Sequence, residues 1–228
     1  MYPYYWDWTY ILLIPGLLLG LWAQYKVNHA YRKYSRVGSR MGRPASEVVA
    51  DLLRRNGNGG VRVAAISGEL TDNYNPKTET LSLSQGVYNS SSIAALGIAA
   101  HEAGHAMQKR DDYAPMRLRT AVVPVVNIGS TAYMPLFVAG LIFSWQPRIY
   151  LGILCFSLSV IFSLITLPVE FDASRRGVAM LVEGGYIADD EVPAVKSVLT
   201  AAALTYVAAA ITSILSLLRL IIIAKDRD

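Results

Sequence analysis

Four apolar stretches divide this chain, at about residues 8–27, 121–145, 149–167 and 198–223. Each approaches the roughly 20 residues that a helix needs to cross the hydrocarbon core of a bilayer. In lipid the backbone must satisfy its own hydrogen bonds, so each stretch is expected to be a helix. Only "SWQPR" separates the second from the third, which predicts a tight helical hairpin. With 53% hydrophobic residues and mean hydropathy +0.33, the composition excludes an ordinary soluble protein. The lone cysteine, Cys155, lies inside an apolar run and can close no internal disulfide; a packed or lipid-facing thiol is expected.

The chain opens on "MYPYYWDW", an aromatic cluster without Lys or Arg. That composition suits an interfacial belt followed by an uncleaved anchor, and it lacks the positive start of a signal peptide. The net charge of +4 does not indicate nucleic acid, because the basic residues are not interleaved with aromatics on a polar domain. Their placement reads as topology. Lys26, Arg32, Lys33, Arg36, Arg40, Arg43 and further basic residues fall between the first and second spans, and Arg175, Arg176 and Lys196 between the third and fourth. The hairpin between spans two and three offers only Arg148. By the positive-inside rule the N-terminus faces out and the large loop faces the cytoplasm. Lys225 and Arg227 in the tail run mildly against this.

The expected organisation is therefore an N-terminal membrane anchor (1–27), a cytoplasmic folded region (28–119), a transmembrane hairpin (120–167), a cytoplasmic segment (168–197) and a C-terminal span with tail (198–228). The fold class is mainly α, a polytopic membrane protein with about four transmembrane helices and a small α+β cytoplasmic portion. In that portion "PASEVVADLLRRNGNGG" predicts an amphipathic helix, with Ser46 as its N-cap and Gly57 as its stop. "VRVAAISG" and "TETLSLS" read as strands of a β-hairpin or small sheet. Ser90 to Ser92 offer an N-cap to the Ala-rich helix that follows.

That helix carries "GIAAHEAGHAMQ", which holds two of the chain's three histidines. At about 100° per residue, His101 and His105 stand one turn apart on the same face and can grip one ion, with Glu102 bordering its open side. This is the H-E-x-x-H pattern, in which two histidines bind zinc and the glutamate serves as general base on the bound water. The pattern also arises by chance. Here Ala99, Ala100, Ala103, Gly104 and Ala106 crowd it, as close approach by another element requires, and Gly104 in a helix interior needs a packing reason. An ionisable Glu102 on an otherwise apolar helix is expensive to bury without a metal or a partner.

A catalytic zinc takes three protein ligands, and three candidates stand open for the third. His29 follows the first span in a setting that suits a solvated side chain. Asp111 lies six residues after His105, where the metzincins place a ligand, but Gln108 stands where those proteins need a Gly to turn the chain. Glu170 in "TLPVEFDASRRG" is the better placed, because the transmembrane hairpin returns it to the side of the histidine helix. Pro168 is expected to kink or start a helix there, with Glu170, Ser174 and Gly177 on one face.

Together "VYNSSSIAALGIAAHE", "AAHEAGHAMQ" and "LPVEFDASRRG" behind a membrane anchor resemble the YugP-like bacterial neutral zinc metallopeptidase family, over nearly the whole chain. More distantly they are similar to HtpX and the CAAX prenyl proteases. The resemblance implies a gluzincin-type, zincin-like site with zinc on His101, His105 and Glu170 and with Glu102 as base and acid. Two departures stand out. Those relatives tend to carry Asp four residues after the ligand Glu, where this chain has Ser174, so the partner of a ligand histidine is expected to be Ser174, Asp172 or another group. "DNYNP" replaces the commoner "DHYDP", and no catalytic role is expected of Asn73 or Asn75.

The implied function is a zinc metalloendopeptidase hydrolysing membrane or membrane-proximal proteins at the cytoplasmic face of a bacterial inner membrane. The bilayer and a protein or peptide substrate are its partners, a membrane-protein complex or homo-oligomer is allowed, and nucleic acid is not expected. Strand 80–84 is the candidate edge for a substrate strand. Arg175, Arg176, Tyr88 and Tyr113 are the candidates for oxyanion support. The competing reading is a zinc-stabilised membrane interaction or scaffold protein without proteolysis.

Overall fold

A computed structural model describes residues 8–225, so most of the N-terminal aromatic cluster and Arg227 of the tail lie outside the described residues. A 3-10 turn (Trp8–Leu13) leads into α1 (Ile14–Tyr34), followed by α2 (Ala45–Arg55), β1 (Arg62–Ile66), β2 (Asn73–Asn75), β3 (Thr80–Ser84), the short α3 (Gln85–Tyr88), α4 (Ile93–Arg110), α5 (Ala114–Ile142), α6 (Gln146–Glu183) and α7 (Val192–Lys225). The fold is mainly α with a small sheet. The turn with α1, and then α5, α6 and α7, are long and apolar enough to cross a membrane. The contacts group residues 1–23, 118–167 and 205–228 into one compact unit and residues 24–117 and 168–204 into another.

In the first unit glycine sets the helix spacing. Apolar side chains gain little by leaving lipid for one another, so helices in a bilayer associate through close backbone contact at small residues. A Cβ on Gly140 would lie 2.7 Å from the Ile149 backbone nitrogen, and one on Gly152 would lie 2.9 Å from that of Phe137. These two positions, with Gly129 against the Cys155 carbonyl, form the α5–α6 seam. Cys155 itself is a half-buried free thiol. Phe137, Ile149, Leu220 and Ala224 pack into a small core at the hairpin end. At the end of α7, Arg219 donates from Nε to Thr9 Oγ1 at 3.1 Å and lies over the Tyr10 ring at 4.0 Å. A charge inside an apolar helix is thereby given a hydroxyl and a π-face.

The second unit holds the polar fold. α2 buries Val48, Val49, Leu52 and Leu53 in a core shared with Leu81, Leu83, Leu96 and Met107. Ser46 is not its cap: Pro44 stands there, in extended backbone, with no side-chain hydrogen bond. The helix does stop at Gly57, whose φ of +72° lets Gly57 N–H reach Arg54 O at 3.1 Å and Asn58 N–H reach Leu53 O at 2.8 Å. This pair of bonds satisfies the last carbonyls of the helix.

In the sheet the strands lie in the order β1-β3-β2, with β1 parallel to β3 and β2 antiparallel to it. Strand 80–84 is therefore the centre of the sheet, which overturns the expectation that it offers an edge to substrate. Its two sides are already paired, and Leu81 and Leu83 are fully buried. Asn75 Oδ1 accepts from Lys77 N–H at 2.9 Å and from Thr78 N–H at 3.3 Å. The asparagine thus shapes the β2–β3 turn by an Asx interaction.

α6 does not begin at Pro168 but runs through it. The proline forfeits one backbone bond, a loss that long helices in apolar surroundings tolerate when neighbours compensate. Glu170 and the apolar run of the third span accordingly share one helix.

Candidate active site

α4 begins where Ser92 Oγ accepts from Ala95 N–H at 3.2 Å. From Ile93 to Gln108 it is buried on nearly every side, which its Ala and Gly content permits. A Cβ on Gly104 would meet the Ala173 carbonyl oxygen at 2.2 Å, and one on Gly177 would meet the Ala100 carbonyl oxygen at 2.6 Å. The two glycines thus answer each other across the α4–α6 contact. This is the packing reason that Gly104 required, and it brings Glu170 onto the histidine face.

Glu170 Oε2 lies 3.2 Å from His101 Nε2 and 3.5 Å from His105 Nε2. Donors about 2.0 Å from one tetrahedral zinc stand roughly 3.3 Å apart, so this set suits that ion. Among the described residues it is the one group of three such side chains with all ligand atoms within 4.8 Å of one another. Glu170 is 2% exposed and Glu102 9%. Burial disfavours the His105 imidazolium, but the hydrogen bond and charge of Glu170 together with the charge of Glu102 outweigh it, raising the pKa above the ordinary 6.5. The pocket draws positive charge.

Each histidine turns its other nitrogen to an uncharged partner. His101 Nδ1 lies 3.0 Å from Ser174 Oγ and His105 Nδ1 lies 3.0 Å from Gln108 Oε1. Gln108 is itself fixed, donating from Nε2 to Val169 O at 2.8 Å and to Asp172 Oδ2 at 3.0 Å. With the amide nitrogen committed to two acceptors, its oxygen accepts, so His105 donates from Nδ1 and turns Nε2 toward Glu170. The sequence marked Gln108 only as a missing glycine. Its position three residues after His105, on the same face of the helix, was the available signal.

The other candidates fall elsewhere. Asp111 pairs with Arg176 at 2.5 Å and with Arg110 at 2.7 Å. Burial works to raise its pKa, but the two guanidiniums prevail and hold it below the ordinary carboxylate range. His29 stacks on Tyr25, with ring centroids 5.9 Å apart. Arg176 is tied to Asp111 and Asp172 and lies 5.5 Å from the Tyr113 ring centroid, while Arg175 pairs with Asp172. Tyr88 lines a separate groove with Arg43, Ser46 and Arg54.

Residues 9–225 match the family described as "Putative neutral zinc metallopeptidase". The chain belongs to this family. The neutral zinc metallopeptidase match spans every element that builds the site. A relative named "Putative membrane protease YugP", from Bacillus subtilis (strain 168), is 44% identical over 212 residues, covering 93% of this chain and 94% of the relative. No solved structure matches. The chain is thus a membrane-associated zinc metallopeptidase with peptide substrates, and its His101, His105 and Glu170 cluster could hold the metal.

Proposed function

We propose that this chain is a gluzincin-type endopeptidase that hydrolyses membrane or membrane-proximal proteins at the cytoplasmic face of a bacterial inner membrane. The observation that carries the reading is the folding of the His101 and His105 helix against Glu170 with Glu102 buried beside them. His101, His105 and Glu170 would hold zinc, which when bound would supply a Lewis acid for peptide hydrolysis. Glu102 takes a proton from the attacking water and delivers it to the departing amine. Ser174 and Gln108 keep the two imidazoles turned so that each Nε2 faces Glu170. The cytoplasmic placement rests on the concentration of Lys and Arg in the loops 28–119 and 168–197.

Glu102→Gln separates this reading from a zinc-stabilised scaffold, because the amide keeps the shape of the side chain and removes its basicity. Detergent-purified protein should retain its zinc while cleavage of denatured casein falls by about 100-fold or more. Undiminished cleavage would refute the role of Glu102.

A further inference from the structure

A cavity of about 330 Å³ lies between α6 and α7 beside the site, lined by Phe171, Ser174, Arg175, Val178 and Ala179 on one helix and by Lys196, Leu199, Thr200 and Ala203 on the other. On each helix these residues recur at spacings of three and four, so two stripes face each other. Facing stripes ordinarily interdigitate. Here Ser174, Ala179, Thr200 and Ala203 are too small to fill the space, and an apolar trough is left with Phe171 half exposed at its lip.

One contact and one adjacency in the chain relate the trough to the chemistry. Ser174 belongs to its wall and also holds His101 at 3.0 Å, and Phe171 directly follows Glu170. Ser174 is thus shared by the trough wall and the histidine cluster. The volume falls within the range of small-molecule pockets and is ample for one large side chain. Arg175 is paired with Asp172, and the exposed Lys196 adds positive charge at the trough.

Resting on the peptidase reading above, we propose that the α6–α7 trough is the specificity pocket of the enzyme. It receives a bulky apolar side chain, of leucine, methionine or phenylalanine size, adjacent to the cleaved bond, and it rejects lysine and arginine. Burying a leucine side chain supports a discrimination of about 10- to 100-fold over glycine. Like charge at the mouth removes that gain from a lysine side chain.

The probes are dipeptide hydroxamates identical except for one side chain, glycine, leucine or lysine, titrated calorimetrically into the full-length zinc-loaded protein in detergent. The leucine compound is expected to bind about 10- to 100-fold tighter than the glycine one. Thr200→Trp, which fills the trough from its exposed rim, should shrink that preference to about 3-fold or less at equal zinc content. Lys196→Glu, a solvent-facing change, should improve the lysine compound by about tenfold. Equal affinity of leucine and glycine compounds in the wild type, or an undiminished preference in Thr200→Trp, overturns the pocket. Loss of casein cleavage with the leucine preference intact overturns the peptidase reading alone, and failure of every hydroxamate to bind overturns both.

Discussion

Among the glycines of the catalytic region, Gly104 leaves the least room for a side chain, against the Ala173 carbonyl, and this permits a quantitative test. A Cβ at position 104 would lie 2.2 Å from that oxygen, whereas ordinary contact begins at 3.4 Å. In Gly104→Ala the helices must therefore part by about 1 Å, because the opposing atom is backbone and cannot rotate away. Two effects oppose each other: alanine favours an isolated helix by about 1 kcal/mol, and overpacking costs about 1–3 kcal/mol. Stability should fall by no more than about 2 kcal/mol, leaving the protein folded. Metal binding should suffer far more, since ligand distances tolerate only about 0.2 Å and Glu170 sits three residues from Ala173 on the displaced helix. Zinc per chain after dialysis against a weak chelator, with circular dichroism on the same sample, provides the assay. We expect native helicity with zinc falling from one equivalent to a small fraction. A variant that keeps full zinc would show that the glycine contact does not position Glu170.

Three further outcomes follow from the same geometry. Glu170→Gln should lose zinc under the same dialysis with its fold intact, and equal retention would remove Glu170 from the ligand set. Gln108→Leu keeps the volume but leaves His105 without its acceptor and removes one of the donors to Asp172, which keeps Arg175 and Arg176; zinc affinity should fall about 10- to 100-fold, read by competition with a chromophoric chelator. Asp111→Asn removes the pairs to Arg110 and Arg176. The folded pKa of Asp111 lies below the ordinary 3.8, so its contribution is fully present above that value and is lost as pH falls through the folded pKa. The variant should thus be about 0–1 kcal/mol less stable near neutrality and should match the wild type in strong acid, and an unchanged gap at low pH would contradict the pairing.

The spans were legible because apolar runs of helical length have few other destinies, and the H-E-x-x-H helix was legible because its two histidines lie one turn apart. What stayed hidden depended on pairing, backbone path and contacts that local pattern does not encode. In "TLSLS" the alternation shows a strand but not that both of its sides are paired, since its neighbours, β1 and β2, come from the same 20-odd residues with weaker signals. Ser46 looked like a cap because local preference favours serine, yet the chain entered the helix two residues earlier, at Pro44. His29, Asp111 and Glu170 could not be ranked decisively, because only the Gly104 and Gly177 contact fixes which carboxylate reaches the histidines. Gln108 was visible throughout, but its meaning required Val169 and Asp172, some 60 residues away.

The buried position of Glu102 and Glu170 also sets a balance of charge. The two carboxyl groups sit beside the histidines in a region of low dielectric, where the sum of any uncompensated charge is expensive. Ser174 and Gln108, the hydrogen-bond partners of the histidines, are neutral and add nothing to that sum. A divalent cation offsets it. Loading the site therefore favours the folded interior, so that holding the ion and remaining folded are thermodynamically linked.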